Sequence, residues 1–458
     1  MRHTKFALAL LTAAVLTACG GGSSTSPKPG DQTPKTKYSA QVTFGDSLSD
    51  VGSYAVGSVL ALGGGKFTIN GNNTAKDPVM TGKNWTELVA AQLGLPVPCP
   101  YQTGLEGDAS KGFAVPVKFN TGCTNYAQGG SRVTNPVGPN HKLTGSPIGA
   151  TTVPMVTQLA NHLKASGGKF KGDELVTVMF GGNDVLMQLA GLNAGATAAG
   201  TTAGKTAFGT SLATQLAAGA TNPQTAAQAI GLAIQTEAAK PGSTDQAIVT
   251  AAVTAAAQQP GNAAVASPAV YGPMVAKAQA AASAAGTKAG QEYFAANAPK
   301  AVAELGKAGA ELAAMVKTQI IGNGANYVVV NNLPDVAGTP SGRSQSAAVQ
   351  ELIKTMVNTF NDQLKAGLAS EPKVMLVDLY TISRDQMTNP GPYGLTNTTT
   401  PACGHNALGE TSLVCNGSNV IAGDVGHYMF ADDIHPTPFE YSLIARYVLE
   451  QMAVKGWL

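Results

Sequence analysis

Gln41-Val42-Thr43-Phe44-Gly45-Asp46-Ser47-Leu48-Ser49-Asp50 is the stretch that decides how this chain is read. Val42, Thr43 and Phe44 form a β-type run that stops at a glycine, and Leu48, Val51, Tyr54 and Ala55 carry a helix-like apolar spacing. The pattern predicts a strand-to-helix turn bearing Ser47. A hydroxyl there projects from the carboxyl edge of a sheet, where open α/β folds place ligands and helix N-terminal N–H groups point at whatever binds. The plainer reading is a turn in which Asp46 or Ser47 caps a helix.

Three later runs, 175–180, 327–331 and 374–378, have the same strand character, and the last two follow helical patterns at 302–321 and 347–368. Near-continuous apolar strands alternating with helices predict a parallel sheet covered on both faces. Residues 84–93 read as a helix, and 95–123 as a Pro/Gly-rich loop between two cysteines. Residues 190–299 depart from the pattern, being dominated by Ala, Gly, Thr and Gln. Helices are expected at 225–239 and 244–258, separated by Pro241-Gly242 and Pro260-Gly261. This insertion is either a passive surface addition or a lid over an acyl-binding cleft.

With 458 residues, 44% of them hydrophobic, the chain can bury a large core. A net charge of +2 and the lack of a basic run in the body give no footprint for nucleic acid. Arg2, His3 and Lys5 precede a short apolar run and Leu16-Thr17-Ala18-Cys19, which reads as an export signal over residues 1–18. The ending resembles a bacterial lipoprotein signal. That resemblance implies lipidation of Cys19, a membrane anchor, and outer-membrane or surface placement. Residues 19–37 then form a flexible tether ahead of a domain spanning 38–458.

Cys99, Cys123, Cys403 and Cys415 remain, an even set in an exported chain, so two disulfides are expected. Loop closure favours Cys99 with Cys123 and Cys403 with Cys415 among the three pairings. A zinc site with His405 is the alternative, disfavoured by the lack of a close Cys-x-x-Cys pair. No metal or other cofactor is called for.

A serine hydroxyl barely ionises at neutral pH and needs a base held in the right tautomer. Phe430-Ala431-Asp432-Asp433-Ile434-His435-Pro436-Thr437 offers both parts: an Asp three residues before a His can accept from Nδ1, leaving Nε2 for the serine. Asp433 competes with Asp432 for that place. Ester chemistry also needs oxyanion donors, which the N–H groups of Ser47 and Gly130 and the side-chain amide of Asn183 can supply.

Gly45-Asp46-Ser47-Leu48, Asn125-Tyr126-Ala127-Gln128-Gly129-Gly130, Gly181-Gly182-Asn183-Asp184 and Asp432-Asp433-Ile434-His435-Pro436 resemble, in order, the four blocks of the GDSL or SGNH hydrolase family. Asn331-Asn332-Leu333-Pro334-Asp335 and Tyr393-Gly394-Leu395-Thr396-Asn397 resemble further stretches of its secreted bacterial members. The resemblance implies a three-layer α/β/α domain with a central parallel sheet, flavodoxin-like, carrying the helical insertion. It implies Ser47 as nucleophile, His435 as base, Asp432 as its orienter, and Ser47, Gly130 and Asn183 as the oxyanion site. The activity expected is hydrolysis of carboxylic esters, small-molecule or lipid, through an acyl-enzyme. A carbohydrate O-deacetylase, an acyltransferase and a silent surface binding protein are the alternatives. With no strand-rich extension after Arg446-Tyr447-Val448-Leu449, a self-transporting barrel of the kind some relatives carry is not expected, and oligomeric state is not legible.

Overall fold

A computed structural model describes residues 36–71 and 81–458. The export signal, Cys19 and nearly all of the tether lie outside these residues. The described strands are β1 (Gln41–Gly45), β2 (Gln102–Glu106), β3 (Ala114–Phe119), β4 (Leu175–Met179), β5 (Tyr327–Asn331) and β6 (Val374–Val377). The helices are α1 (Gly57–Ala61), α2 (Trp85–Gln92), α3 (Met155–Ala165), α4 (Gly182–Ala217), α5 (Pro223–Ala238), α6 (Asp245–Ala257), α7 (Pro268–Met315), α8 (Pro340–Arg343), α9 (Ala347–Leu368), α10 (Leu379–Thr388) and α11 (Pro438–Val454).

The four apolar runs pair into one parallel sheet, in the order β1-β4-β5-β6. Gly45, Met179 and Asn331 stand in register at its carboxyl edge. Alternation along each strand divides the core in two. Val176, Val178, Val328 and Val330 face α3, α9 and the end of α7, whereas Leu175, Met179 and Val329 face α2 and α11. On α9, Leu352, Ile353, Met356, Val357, Phe360 and Leu364 form one buried stripe at helical spacing. Helices on both faces of a parallel sheet make this the expected three-layer α/β/α architecture.

Two local expectations are corrected. No helix follows Ser47: residues 46–49 form a turn, closed by Ser49 N–H on Asp46 C=O at 3.1 Å, and α1 starts only at Gly57. Asp46 Oδ1 takes the N–H of Leu48, Asp50 Oδ1 takes those of Gly52 and Ser53, and Gly52 has a φ of +118°. Carboxylates that capture local N–H groups compete with helix formation, and the left-handed glycine stops it. The stretch 95–123 is also more than a loop, because β2 and β3 form an antiparallel hairpin within it. Its base is closed by a disulfide between Cys99 and Cys123.

In the insertion, α5 and α6 fall within two residues of the expected spans at every end. Periodicity did not predict that α4, of 36 residues, and α7, of 48, run as continuous antiparallel helices. At 1.5 Å per residue they extend roughly 54 and 72 Å. A Cβ at Gly200 would lie 2.8 Å from the Gly286 carbonyl, so glycine lets the two backbones approach. The far end has its own apolar cluster, built from Leu212, Leu216, Ile230, Ile234, Val249 and Val265. No helix among the described residues is long and apolar enough to cross a membrane.

Candidate active site

Four segments converge at the carboxyl edge of the sheet. The β1 turn carries Ser47. Residues 124–128 run along the free edge of β1: Thr43 N–H donates to Thr124 C=O, Tyr126 N–H to Thr43 C=O, and Gln128 N–H to Gly45 C=O, at 3.0, 2.8 and 3.1 Å. This brings Gly130 level with Ser47. After β4, Gly181 adopts a φ of +115° and α4 begins, with Asn183 in its first turn. The loop before α11 supplies Asp432 and His435.

His435 Nε2 lies 2.9 Å from Ser47 Oγ, although 388 residues separate the two in sequence. His435 Nδ1 lies 2.9 and 2.8 Å from the two oxygens of Asp432. Between the competing carboxylates, geometry selects Asp432, since Asp433 is exposed and makes no hydrogen bond to the imidazole. Asp432 also accepts from the backbone N–H groups of Ser412, Ile434 and His435. Burial alone would raise its pKa. The facing imidazole and these hydrogen bonds outweigh that and hold the carboxyl below its ordinary range. Burial pulls His435 down, but Asp432 first, then Asp433 and Asp46, raise it overall. Asp46 is a second carboxyl at the site, pushed by burial up to about 7.

Gly130 has a φ of +79°, and a Cβ there would fall 2.5 Å from the carbonyl oxygen of Pro139, so only glycine fits. The N–H groups of Ser47 and Gly130 donate to no backbone carbonyl among the described residues. The amide of Asn183 donates one N–H to Ser131 C=O at 2.8 Å, which fixes its orientation beside them. Ser47, Gly130, Asn183, Asp432 and His435 all line one cavity of about 470 Å³. Its walls are chiefly apolar, including Leu48, Met179, Leu333, Ile382, Met429 and Ile444. From the insertion's long helices only residues up to Leu186 reach it, and none in 190–299 does.

Side-chain interlocks between distant segments hold this geometry. Asp184 accepts from Arg132 Nε at 2.9 Å and from Val133 N–H at 3.1 Å, tying the glycine turn to the start of α4. Both side chains are nearly buried, so removing one partner strands a charge and costs about 3–5 kcal/mol. Gln158, on α3, bonds both the N–H and the C=O of Gly45, while Asp50 Oδ2 accepts from Gly129 N–H at 2.9 Å. Asp50 and Asp184 stand inside the quoted motifs, so their position was visible. Arg132 and Gln158 carry no signal of their role before the chain is folded.

Cys403 and Cys415 form the second disulfide, which with the first takes all four cysteines out of any zinc set. It closes the loop whose Ser412 N–H donates to Asp432. Removing it by Cys403→Ser with Cys415→Ser is expected to cost about 3 kcal/mol by loop entropy, measured by urea denaturation, and to lower kcat.

A family model described as GDSL-like Lipase/Acylhydrolase matches residues 191–448, more than half of the chain. The chain belongs to that family. The match covers Asp432 and His435 and begins beyond Ser47, Gly130 and Asn183. Curated relatives include the GDSL esterase/lipase APG of Arabidopsis thaliana, 26% identical over 144 residues, 29% of this chain and 41% of that one. A second GDSL esterase/lipase of the same plant is 33% identical over 99 residues, 20% of this chain and 27% of that one. The plant's anther-specific proline-rich protein APG is 26% identical over 149 residues, 31% of this chain and 28% of that one. The matched region thus spans less than half the length of each relative.

Proposed function

We propose that the protein is a serine carboxylic-ester hydrolase that works through an acyl-enzyme. One observation carries this: Ser47 Oγ, His435 Nε2 and Asp432 lie in hydrogen-bonded sequence on the wall of an apolar cavity. Neutral His435 takes the proton of Ser47 as the oxygen attacks the ester carbonyl, and a tetrahedral oxyanion forms. The N–H groups of Ser47 and Gly130 and the second amide N–H of Asn183 receive that charge. His435 then protonates the departing alcohol, and water activated by the same imidazole releases the acid. The apolar walls favour an acyl chain over the polar, acetylated surface of a glycan, so acyl-ester cleavage is preferred to deacetylation.

We also propose that the protein works outside the cytoplasm, anchored by lipidated Cys19. The N-terminal pattern and the two disulfides support this reading.

A fluorophosphonate is expected to label Ser47, and labelling elsewhere or nowhere defeats the assignment. The rate has a defined pH dependence. Only neutral imidazole accepts the proton, and the pKa of His435 is raised, so kcat/KM should fall as pH drops through a limb lying above the ordinary histidine value of about 6.5. A limb below that value contradicts the charge arrangement.

A further inference from the structure

Helix α11 opens with Thr437-Pro438-Phe439-Glu440, the spacing of a capping box in which the glutamate turns back to the first N–H. Only half of the box forms. Thr437 Oγ1 accepts from Glu440 N–H at 3.2 Å, but Thr437 N–H donates to Met429 C=O at 3.0 Å instead of to the glutamate. Glu440 has therefore no capping duty. Its side chain is nevertheless 2% exposed, and the residue lies in the wall of the cavity that holds Ser47. Its Oε2 has no hydrogen-bonding partner among the described residues.

The neighbours define the chemistry. Gln386, on α10 and also 2% exposed, lines the same cavity beside the carboxyl. Leu379, Ile382, Met387 and Ile444 supply the apolar wall around the pair. Burial, opposed by Gln386 and by the charge of Arg446, pushes Glu440 up to about 8, so the carboxyl holds a proton far more readily than an ordinary glutamate and, protonated, can both donate and accept. An alkyl chain beside it leaves the idle oxygen unsatisfied, which is costly in a buried wall. A carboxylate-bearing chain would meet Asp335 and Asp433 in the same cavity. A hydroxyl satisfies the oxygen and adds no charge.

We infer that the lobe between α10 and α11 is a subsite for acyl chains bearing a hydroxyl group, held by Glu440 with Gln386, so that hydroxyacyl esters are the preferred substrate class. This rests on the ester-hydrolase reading above. The test compares kcat/KM for p-nitrophenyl octanoate with that for the positional hydroxyoctanoate esters. In the native enzyme at least one hydroxy isomer is expected to exceed octanoate by about tenfold, the worth of one buried hydrogen bond. Glu440→Gln keeps a hydrogen-bonding group of the same shape and should retain most of that ratio, whereas Glu440→Leu should bring it close to one. The native enzyme cleaving octanoate at least as well as every hydroxy isomer overturns the inference without recourse to a variant. So does a ratio that survives in Glu440→Leu. Turnover of no ester at all would overturn the hydrolase reading and this one with it.

Discussion

Replacing Ser47 by alanine is expected to lower kcat for a p-nitrophenyl acyl ester by about 10⁴-fold or more, with the thermal unfolding midpoint almost unchanged. The size follows from the proposed role: without the hydroxyl the proposed acyl-enzyme cannot form, and only oxyanion binding and proximity remain. The stability expectation follows from position. Ser47 occupies a turn whose hydrogen bonds come from the backbone and from Asp46, and among the described residues its own Oγ bonds only to His435. Deleting one oxygen there removes one hydrogen bond and opens no core cavity. Steady-state kinetics beside a thermal melt decide the matter; activity near native in a folded variant would end the assignment.

The second large effect concerns the carboxylates. Asp432→Asn is expected to cost about 10³- to 10⁴-fold in kcat, because an amide can stabilise the wrong tautomer of His435 and no longer offsets the charge that the imidazole gains. Asp433→Asn should change kcat less than about threefold, since this exposed side chain contributes only at a distance. The pH profile adds an independent sign. Asp432 is the largest influence raising the pKa of His435, so its neutralisation should move the acid limb of the residual activity to lower pH. Comparable losses in the two variants, or a limb moving upward, would contradict the geometry.

The helical insertion bears on both results. Because no residue of 190–299 lines the cavity, turnover of short soluble esters under the proposed activity is expected to depend on the walls contributed by the α/β/α body. The arm is held by close backbone contact along α4 and α7 and by a separate apolar cluster at its far end, so its packing is largely independent of the sheet.

What the sequence determined by itself is whatever depends on neighbouring residues. Near-continuous apolar runs alternating with helices specified four parallel strands, and alanine content with Pro-Gly breaks specified α5 and α6 to within two residues. Loop-closure entropy, a function of sequence distance, favoured the two disulfide pairings seen. Tertiary structure decided the rest, because the competing interactions are long-range or depend on side-chain direction. Helical spacing after Ser47 lost to the carboxylates of Asp46 and Asp50. Asp432 and Asp433 are equivalent by spacing, and only the folded loop turns one toward the imidazole. Arg132 with Asp184 and Gln158 with Gly45 fix the glycine turn and the turn bearing Ser47 across 52 and 113 residues. No local pattern encodes such a contact, since its free energy arises only after the sheet has brought the partners together.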